Sequence, residues 1–258
     1  MSSAENTSIG TASSSDSTTT GTTKTVIPLD VRRLPSIWSS LTLGLRKQLL
    51  TDLPVARAVM SSLHWMYHWT NTRDDQDLQN PYKRFPRRDY LFAMHRLFLD
   101  ERILFVEKSR SMITSWWAAA EALHYVMTHQ PSKAILWAQD QRRAVMLRDY
   151  VWVLYEQQEP ILKELYPVPR PRLNQSYDKL ELSDGGLLIA LPGKDPNVIR
   201  SEHPTLLVVD EACFIENGGE AFDIALASRV PKVLLVSTAA PSWIRRLTKN
   251  ALPAPLNA

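Results

Sequence analysis

The sequence predicts a three-layer α/β domain around a mostly parallel sheet, and three observations carry that prediction. From residue 103 onward, strand-like and helical stretches alternate. Two four-residue runs, 206–209 and 233–236, are wholly apolar, as strands covered on both faces are. The chain has 258 residues, enough for one large core. Hydrophobic residues are 44% and charged residues 22%, an ordinary globular balance. No uninterrupted apolar run approaches the roughly 20 residues of a membrane helix, so no membrane partner is expected. Thirty Lys and Arg against 27 Asp and Glu leave +3, compatible with a nucleic-acid partner without requiring one. A single cysteine, Cys213, excludes an internal disulfide and a cysteine-rich metal site, and suits a reducing compartment.

Taken in order, residues 1–25 contain 15 Ser or Thr and cannot bury enough surface to offset their ordering entropy, so they read as a disordered tail. The tail has neither the apolar segment of a signal peptide nor the arginines of a transit peptide. Residues 26–70 carry a helical pattern broken by Pro28, Pro35 and Pro54, with Leu45, Leu49 and Leu50 on one face and Trp65, Tyr67 and Trp69 further on. The polar stretch 71–88 holds Asp74, Asp75 and Asp77 and then Lys83, Arg84, Arg87 and Arg88. It reads as a loop into a helix over 89–99. The expected division is therefore a helical region with its lead-in loop at 26–88 and the α/β domain at 89–258.

Within that domain the pattern predicts a strand at 103–106, a helix at 116–129, a strand at 134–138, and one long helix over 141–165 bent near Pro160. Stretches 179–182 and 187–191 flank Ser183-Asp184-Gly185-Gly186 and read as a hairpin. The two apolar runs supply the remaining strands.

Chemistry concentrates at two strand ends. The run 206–209 ends in Asp210 and Glu211, and in a parallel sheet ligands bind beyond the carboxyl ends of the strands. Asp210 suits a Mg²⁺ ligand and Glu211 an orienting base for a water, the alternative being a pair that caps the next helix. The first strand runs through Glu107 into Lys108-Ser109-Arg110-Ser111-Met112-Ile113-Thr114-Ser115-Trp116 and then a helix, a strand-loop-helix setting that can cradle phosphate. The chain has only 8 glycines, at positions 10, 21, 44, 185, 186, 193, 218 and 219, so a loop here works without glycine or is a basic surface loop. Ile113 and Thr114 stand where G-x-x-x-x-G-K-S/T has its second Gly and its Lys. Ser115 keeps the place of the Mg²⁺ ligand, and Lys108 at the front of the loop can supply the cation.

The segment from Lys108 to Trp116 resembles the K-S-R-x-M-x-x-S/T-W phosphate loop of tailed-phage large terminase ATPases. Phe85-Pro86, Tyr90-Leu91, the acidic strand end and Val236-Ser237-Thr238-Ala239-Ala240-Pro241 look like further landmarks of that family in its order, from about Trp65 to Trp243. The resemblance implies a P-loop NTPase fold of the ASCE type. It makes Lys108, Ser109, Arg110, Ser111, Met112, Ile113, Thr114 and Ser115 the nucleotide-binding Walker A loop, with Asp210 and Ser115 on the metal. Glu211 is then the Walker B catalytic base and Arg110 a charge-stabilising catalytic group. Ser237 and Thr238 form the coupling motif, with Ala239 where Pro is frequent. Arg200 resembles an arginine finger that reaches a neighbouring subunit, against a solvated loop arginine. Gln139 either reads nucleotide state or DNA, or simply starts a helix.

The implied activity is ATP hydrolysis driving double-stranded DNA into a procapsid, with ATP and Mg²⁺ required. The implied partners are DNA, the portal protein, the small terminase subunit and further copies in a ring, acting in the host cytoplasm. Too few residues follow Ser237 for the RNase H-like nuclease domain of such proteins, so a separate nuclease chain or a truncated product is expected. Another helicase-like, nucleic-acid-dependent ATPase and a non-catalytic remnant are the competing readings. His64 and His68, four apart, read as aromatic packing rather than zinc ligands. Cys213 reads as a small buried residue. The cluster at 83–88 reads as a solvated basic loop before a DNA contact.

Overall fold

The computed structural model describes residues 53–109, 112–129, 131–169 and 179–248. The tail 1–25 and Leu45, Leu49 and Leu50 lie outside the described residues. Helices α1 (Leu53–Met60) and α2 (Ser62–His68) come first. Pro54 does not break α1; it sits in the first turn, where a missing N–H costs nothing. Ser61 caps α2 by accepting from the His64 amide at 3.2 Å.

The stretch expected as a loop contains an antiparallel ribbon, β1 (Asn71–Arg73) paired with β2 (Tyr82–Arg84). Its acidic and basic clusters neutralise each other across the turn: Lys83 Nζ lies 2.9 Å from Asp77 and 3.3 Å from Asp74. Three-residue strands of polar composition carry no hydrophobic period, which is why the pattern reads as loop. Helix α3 (Asp89–Asp100) follows as expected.

The main sheet begins with β3 (Ile103–Lys108), two residues longer than predicted, so that Lys108 ends a strand instead of opening a loop. Next come α4 (Thr114–Thr128), β4 (Lys133–Ala138), α5 (Gln141–Glu156) and α6 (Pro160–Leu165). The single bent helix expected over 141–165 is two helices. Pro160 starts the second, and the break residues bond elsewhere: the Glu159 amide donates to Trp69 O at 3.0 Å, and Gln158 Oε1 accepts from Trp65 Nε1 at 3.3 Å. Strands β5 (Lys179–Glu181) and β6 (Leu187–Pro192) form the predicted antiparallel hairpin, with Gly185 at φ +93° in its turn. Then follow α7 (Asn197–Glu202), β7 (Leu206–Asp210), a 3₁₀ turn at Ala212–Phe214, α8 (Gly218–Ala227), β8 (Lys232–Thr238) and α9 (Arg245–Thr248).

The six strands lie in the order β3-β8-β7-β4-β6-β5, and every neighbouring pair is parallel except β5 with β6. Alternation along the strands divides the core into two layers. Leu104, Val106, Leu136, Leu206, Val208, Leu234 and Val236 face a cluster with α4 and α5. Ile135, Trp137, Leu207, Val209, Val233 and Leu235 face a second with α7 and α8. A helical layer on each face makes the three-layer α/β architecture that the apolar runs predict.

The N-terminal helices pack on α4 through buried polar contacts. Ser62 Oγ donates to Glu121 Oε2 at 2.6 Å, and His95 Nδ1 of α3 lies 2.9 Å from Glu121 Oε1. His124 Nε2 donates to Ala58 O at 2.8 Å. No described helix is long and apolar enough to cross a membrane.

Candidate functional site

Strand order decides which side chains meet. Because β8 lies between β3 and β7, their carboxyl ends are one strand apart, and the register sets Lys108 beside Thr238 and Asp210 beside Val236. Lys108 Nζ donates to Glu211 Oε1 at 2.8 Å, and the two side chains are only 7% and 12% exposed. The other Glu211 oxygen accepts from the Thr238 amide at 3.0 Å, and Thr238 Oγ1 lies 3.4 Å from Oε1. Ser115, in the first turn of α4, donates to Asp210 Oδ1 at 3.0 Å. Ser237 Oγ accepts from the Cys213 amide at 3.1 Å and donates to Thr238 O at 2.9 Å. Four elements thus contribute to one connected cluster: β3, α4, the end of β7 and the end of β8.

Glu211 has φ +52°, the left-handed region that a non-glycine residue enters at a cost, and such strain collects at functional sites. That conformation stands between the strand and the 3₁₀ turn, with the Glu211 carboxylate bonded to Lys108 and Thr238. The two adjacent acids have opposite electrostatic settings. Burial pushes Asp210 above the usual carboxylate range, and the Glu211 charge adds to it, while Ser115, Lys108 and Arg143 oppose the rise. Burial would raise Glu211 as well, but the Lys108 hydrogen bond, the Thr238 amide and the charges of Lys108 and Arg143 outweigh it and hold Glu211 below its ordinary value.

A buried carboxylate beside a hydroxyl is an oxygen-only donor set. Mg²⁺ takes one or two protein oxygens and leaves the rest to water and phosphate, so Asp210 and Ser115 fit it. No group of three or more His, Cys, Asp or Glu able to hold a metal occurs among the described residues, and such a site needs none.

The fold at large is similar to that of the HK97 bacteriophage large terminase, with a TM-score of 0.54 at 12% identity over 70% of this chain. The likeness is one of fold. This chain spans 38% of that terminase. The large terminase ATPase domain of Thermus phage P74-26, in two crystal structures of which one is an arginine-to-alanine variant, gives a TM-score of 0.49 at 17% identity. That match covers 66% of this chain and 73% or 74% of the other. No protein-family model and no curated protein matches the sequence.

Of the residues singled out in the sequence, Lys108, Ser115, Asp210, Glu211, Ser237 and Thr238 come together. Arg110 and Ser111 lie outside the described residues. Thr114 is fully buried, its hydroxyl 3.5 Å from Met112 O, so it presents nothing in place of a loop lysine. Ser109 is exposed, and Met112 and Ile113 are half-buried. Arg200 is exposed in the last turn of α7 with no partner among the described residues. Gln139 is exposed between β4 and Asp140, which caps α5 by accepting from the Arg143 amide at 2.9 Å. His64 and His68 pack ring to ring at 4.6 Å. Burial above all, helped by His68, Arg57 and Arg87, drives His64 down to about 4. Cys213 is half-buried. The cluster at 83–88 is largely committed: Lys83 to Asp74 and Asp77, Arg84 to His68 O, and Arg87 to His68 Nε2.

The residue that the sequence reading missed is Arg143. It stands in the first turn of α5, half-buried, with its charge acting on both Asp210 and Glu211. A signal was present: Gln141-Arg142-Arg143 puts two cations and no acid in a first helical turn, against the helix dipole.

Proposed function

We propose that this chain is a P-loop NTPase of the ASCE type that hydrolyses ATP with Mg²⁺ as the motor domain of a phage large terminase, moving double-stranded DNA into a procapsid. The observation that carries the reading is the cluster of Lys108, Ser115, Asp210, Glu211 and Thr238 at the carboxyl ends of β3, β7 and β8 and the start of α4. A cation, a metal-suited hydroxyl and carboxylate, and a second carboxylate held by a neighbouring strand are what hydrolysis of a phosphoanhydride needs. The partners of this reading are DNA, the portal protein, the small terminase subunit and further copies of the chain in a ring. The setting is the host cytoplasm.

The contacts of the cluster define the chemistry. Lys108 is paired to Glu211, so a triphosphate that engages Lys108 competes for it and releases the carboxylate from its cation. The freed Glu211, still held by the Thr238 amide, accepts the proton of the attacking water. The water oxygen bonds to the γ-phosphorus, the bond to the β,γ-bridging oxygen breaks, and ADP carries away that electron pair. Ser115 and Asp210 are the residues that would hold Mg²⁺, which would supply Lewis-acid charge to the phosphate when bound. Because Thr238 holds Glu211 and Ser237 holds the Cys213 amide, a movement of Glu211 pulls on β8 and on the segment after it. That is the route by which phosphate loss is coupled to motion.

The test is DNA-stimulated ATP hydrolysis by the native chain, Lys108→Ala and Glu211→Gln. Native turnover with a loss of about 100-fold or more in each variant is expected, the scale for removing a charge-stabilising or water-orienting group. A native chain that neither binds nor hydrolyses ATP with portal and DNA present overturns the reading in favour of a non-catalytic remnant.

A further inference from the structure

Arg143 is a cation without an evident structural task. Its guanidinium has no hydrogen-bond or ion-pair partner among the described residues, although it is half-buried. Its backbone is fixed, because Asp140 accepts from the Arg143 amide at 2.9 Å and caps the 16-residue helix α5. The sheet fixes where that helix begins. β4 pairs with β7 in parallel, Trp137 beside Val209, so the end of β4 and the first turn of α5 rise next to Asp210 and Glu211.

Local physics argues against placing it there for the helix's sake. A first helical turn carries positive potential from its free N–H groups, and cations there are unfavourable. Asp210 and Glu211 supply negative charge nearby, but neither takes Arg143 as a partner: Asp210 accepts from Ser115 and Glu211 from Lys108 and Thr238. Lys108 itself is paired to Glu211. When a triphosphate arrives, a strongly negative group enters a pocket edge that already holds two carboxylates, and a second cation is needed to balance it.

We infer that Arg143 contacts the terminal phosphate of the bound nucleotide from within the same chain, as a second cation opposite Lys108. The inference rests on the nucleotide reading of the site. A guanidinium at the start of α5 also ties the phosphate to the neighbouring strand β4, so the presence or loss of the γ-phosphate is felt on both sides of β7. Arg143 contributes charge and directional N–H donors that ADP, lacking the γ-phosphate, does not engage.

The test is calorimetric titration of the native chain, Arg143→Gln and Arg143→Lys with ATP and with ADP, Mg²⁺ present, alongside turnover without DNA, binding of duplex DNA and thermal unfolding. For Arg143→Gln the expected result is a loss of about tenfold or more in ATP affinity, ADP affinity within about twofold of native, and turnover down by about 100-fold. Arg143→Lys recovers part of the ATP affinity. Native ATP affinity and turnover in Arg143→Gln overturn the inference while leaving the nucleotide site standing. Equal losses for ATP and ADP overturn it in favour of an indirect effect on the carboxylates or the fold. Weakened DNA binding with native DNA-free turnover overturns it in favour of a DNA contact. A native chain that binds neither nucleotide removes the site reading and this inference together.

Discussion

Asp210 shows what burial costs a single carboxylate. It is 1% exposed, and its largest influence is burial, which favours the neutral form. The folded chain therefore holds its proton to higher pH than the unfolded chain does, so above the ordinary carboxylate range the ionised Asp210 is a growing cost to folding. Asparagine removes that charge and still accepts the Ser115 hydroxyl bond. Asp210→Asn is expected to raise the unfolding temperature at pH 7 by roughly 2–4 °C, the shift that about 1 kcal/mol gives at this size. The same change should abolish ATP turnover. The gain should shrink as pH falls toward the raised value, where native Asp210 is neutral too. A lower unfolding temperature for Asp210→Asn at pH 7 would contradict the burial argument. Glu211 has the opposite setting: with its folded value depressed, its pairing stabilises the chain at neutral pH and is lost as pH falls through that value.

Among the elements, the junction of α1 and α4 has a readable pH response. His124 of α4 is buried, with Nε2 donating to the Ala58 carbonyl of α1. Burial drives His124 down to about 4, against support from the Ala58 bond and Glu121, with His129 and His95 lowering it further. Between pH 6.5 and 4 the unfolded chain binds a proton there that the folded chain does not, so stability falls as pH drops through that window. Urea midpoints measured across it should decline for the native chain. They should decline less for His124→Gln, with His64 and His68, both also lowered by burial, contributing to the remaining slope. An unchanged slope in the variant would assign the response elsewhere. The elements themselves were legible in proportion to their apolar content. β7 and β8 announce themselves as runs of Leu and Val, whereas the β1–β2 ribbon, held by Lys83 against Asp74 and Asp77, has no such run. The break between α5 and α6 depends on Trp65 and Trp69, which are distant in sequence, and only Pro160 hinted at it.

At the scale of the whole molecule, the site exists only because the sheet order sets β8 between β3 and β7. The acids and the front-of-loop cation were legible as residues at strand ends. Their direct pairing, Lys108 to Glu211, was not, since it depends on strands 103 residues apart meeting across a third. Arg143 was hidden for a related reason: its relevance comes from β4 lying on the other side of β7. A ligand that engages Lys108, Ser115 and the neighbours of Asp210 therefore ties together β3, α4, β7 and β8, and its binding energy is felt by the entire sheet. At a nucleotide concentration about 100 times its Kd, binding to the folded state alone adds about 2.7 kcal/mol, which at roughly 2–4 °C per kcal/mol is an upward shift of about 5–10 °C in unfolding temperature. The native chain with Mg²⁺ and a non-hydrolysable ATP analogue should show that shift, and Lys108→Ala should show little of it at the same concentration. Lys108→Ala should also begin from a lower temperature without nucleotide, because it leaves the Glu211 carboxylate largely buried and without its cation. No shift for the native chain at millimolar analogue would mean that the Lys108–Glu211 pair is a structural contact, not part of a nucleotide site.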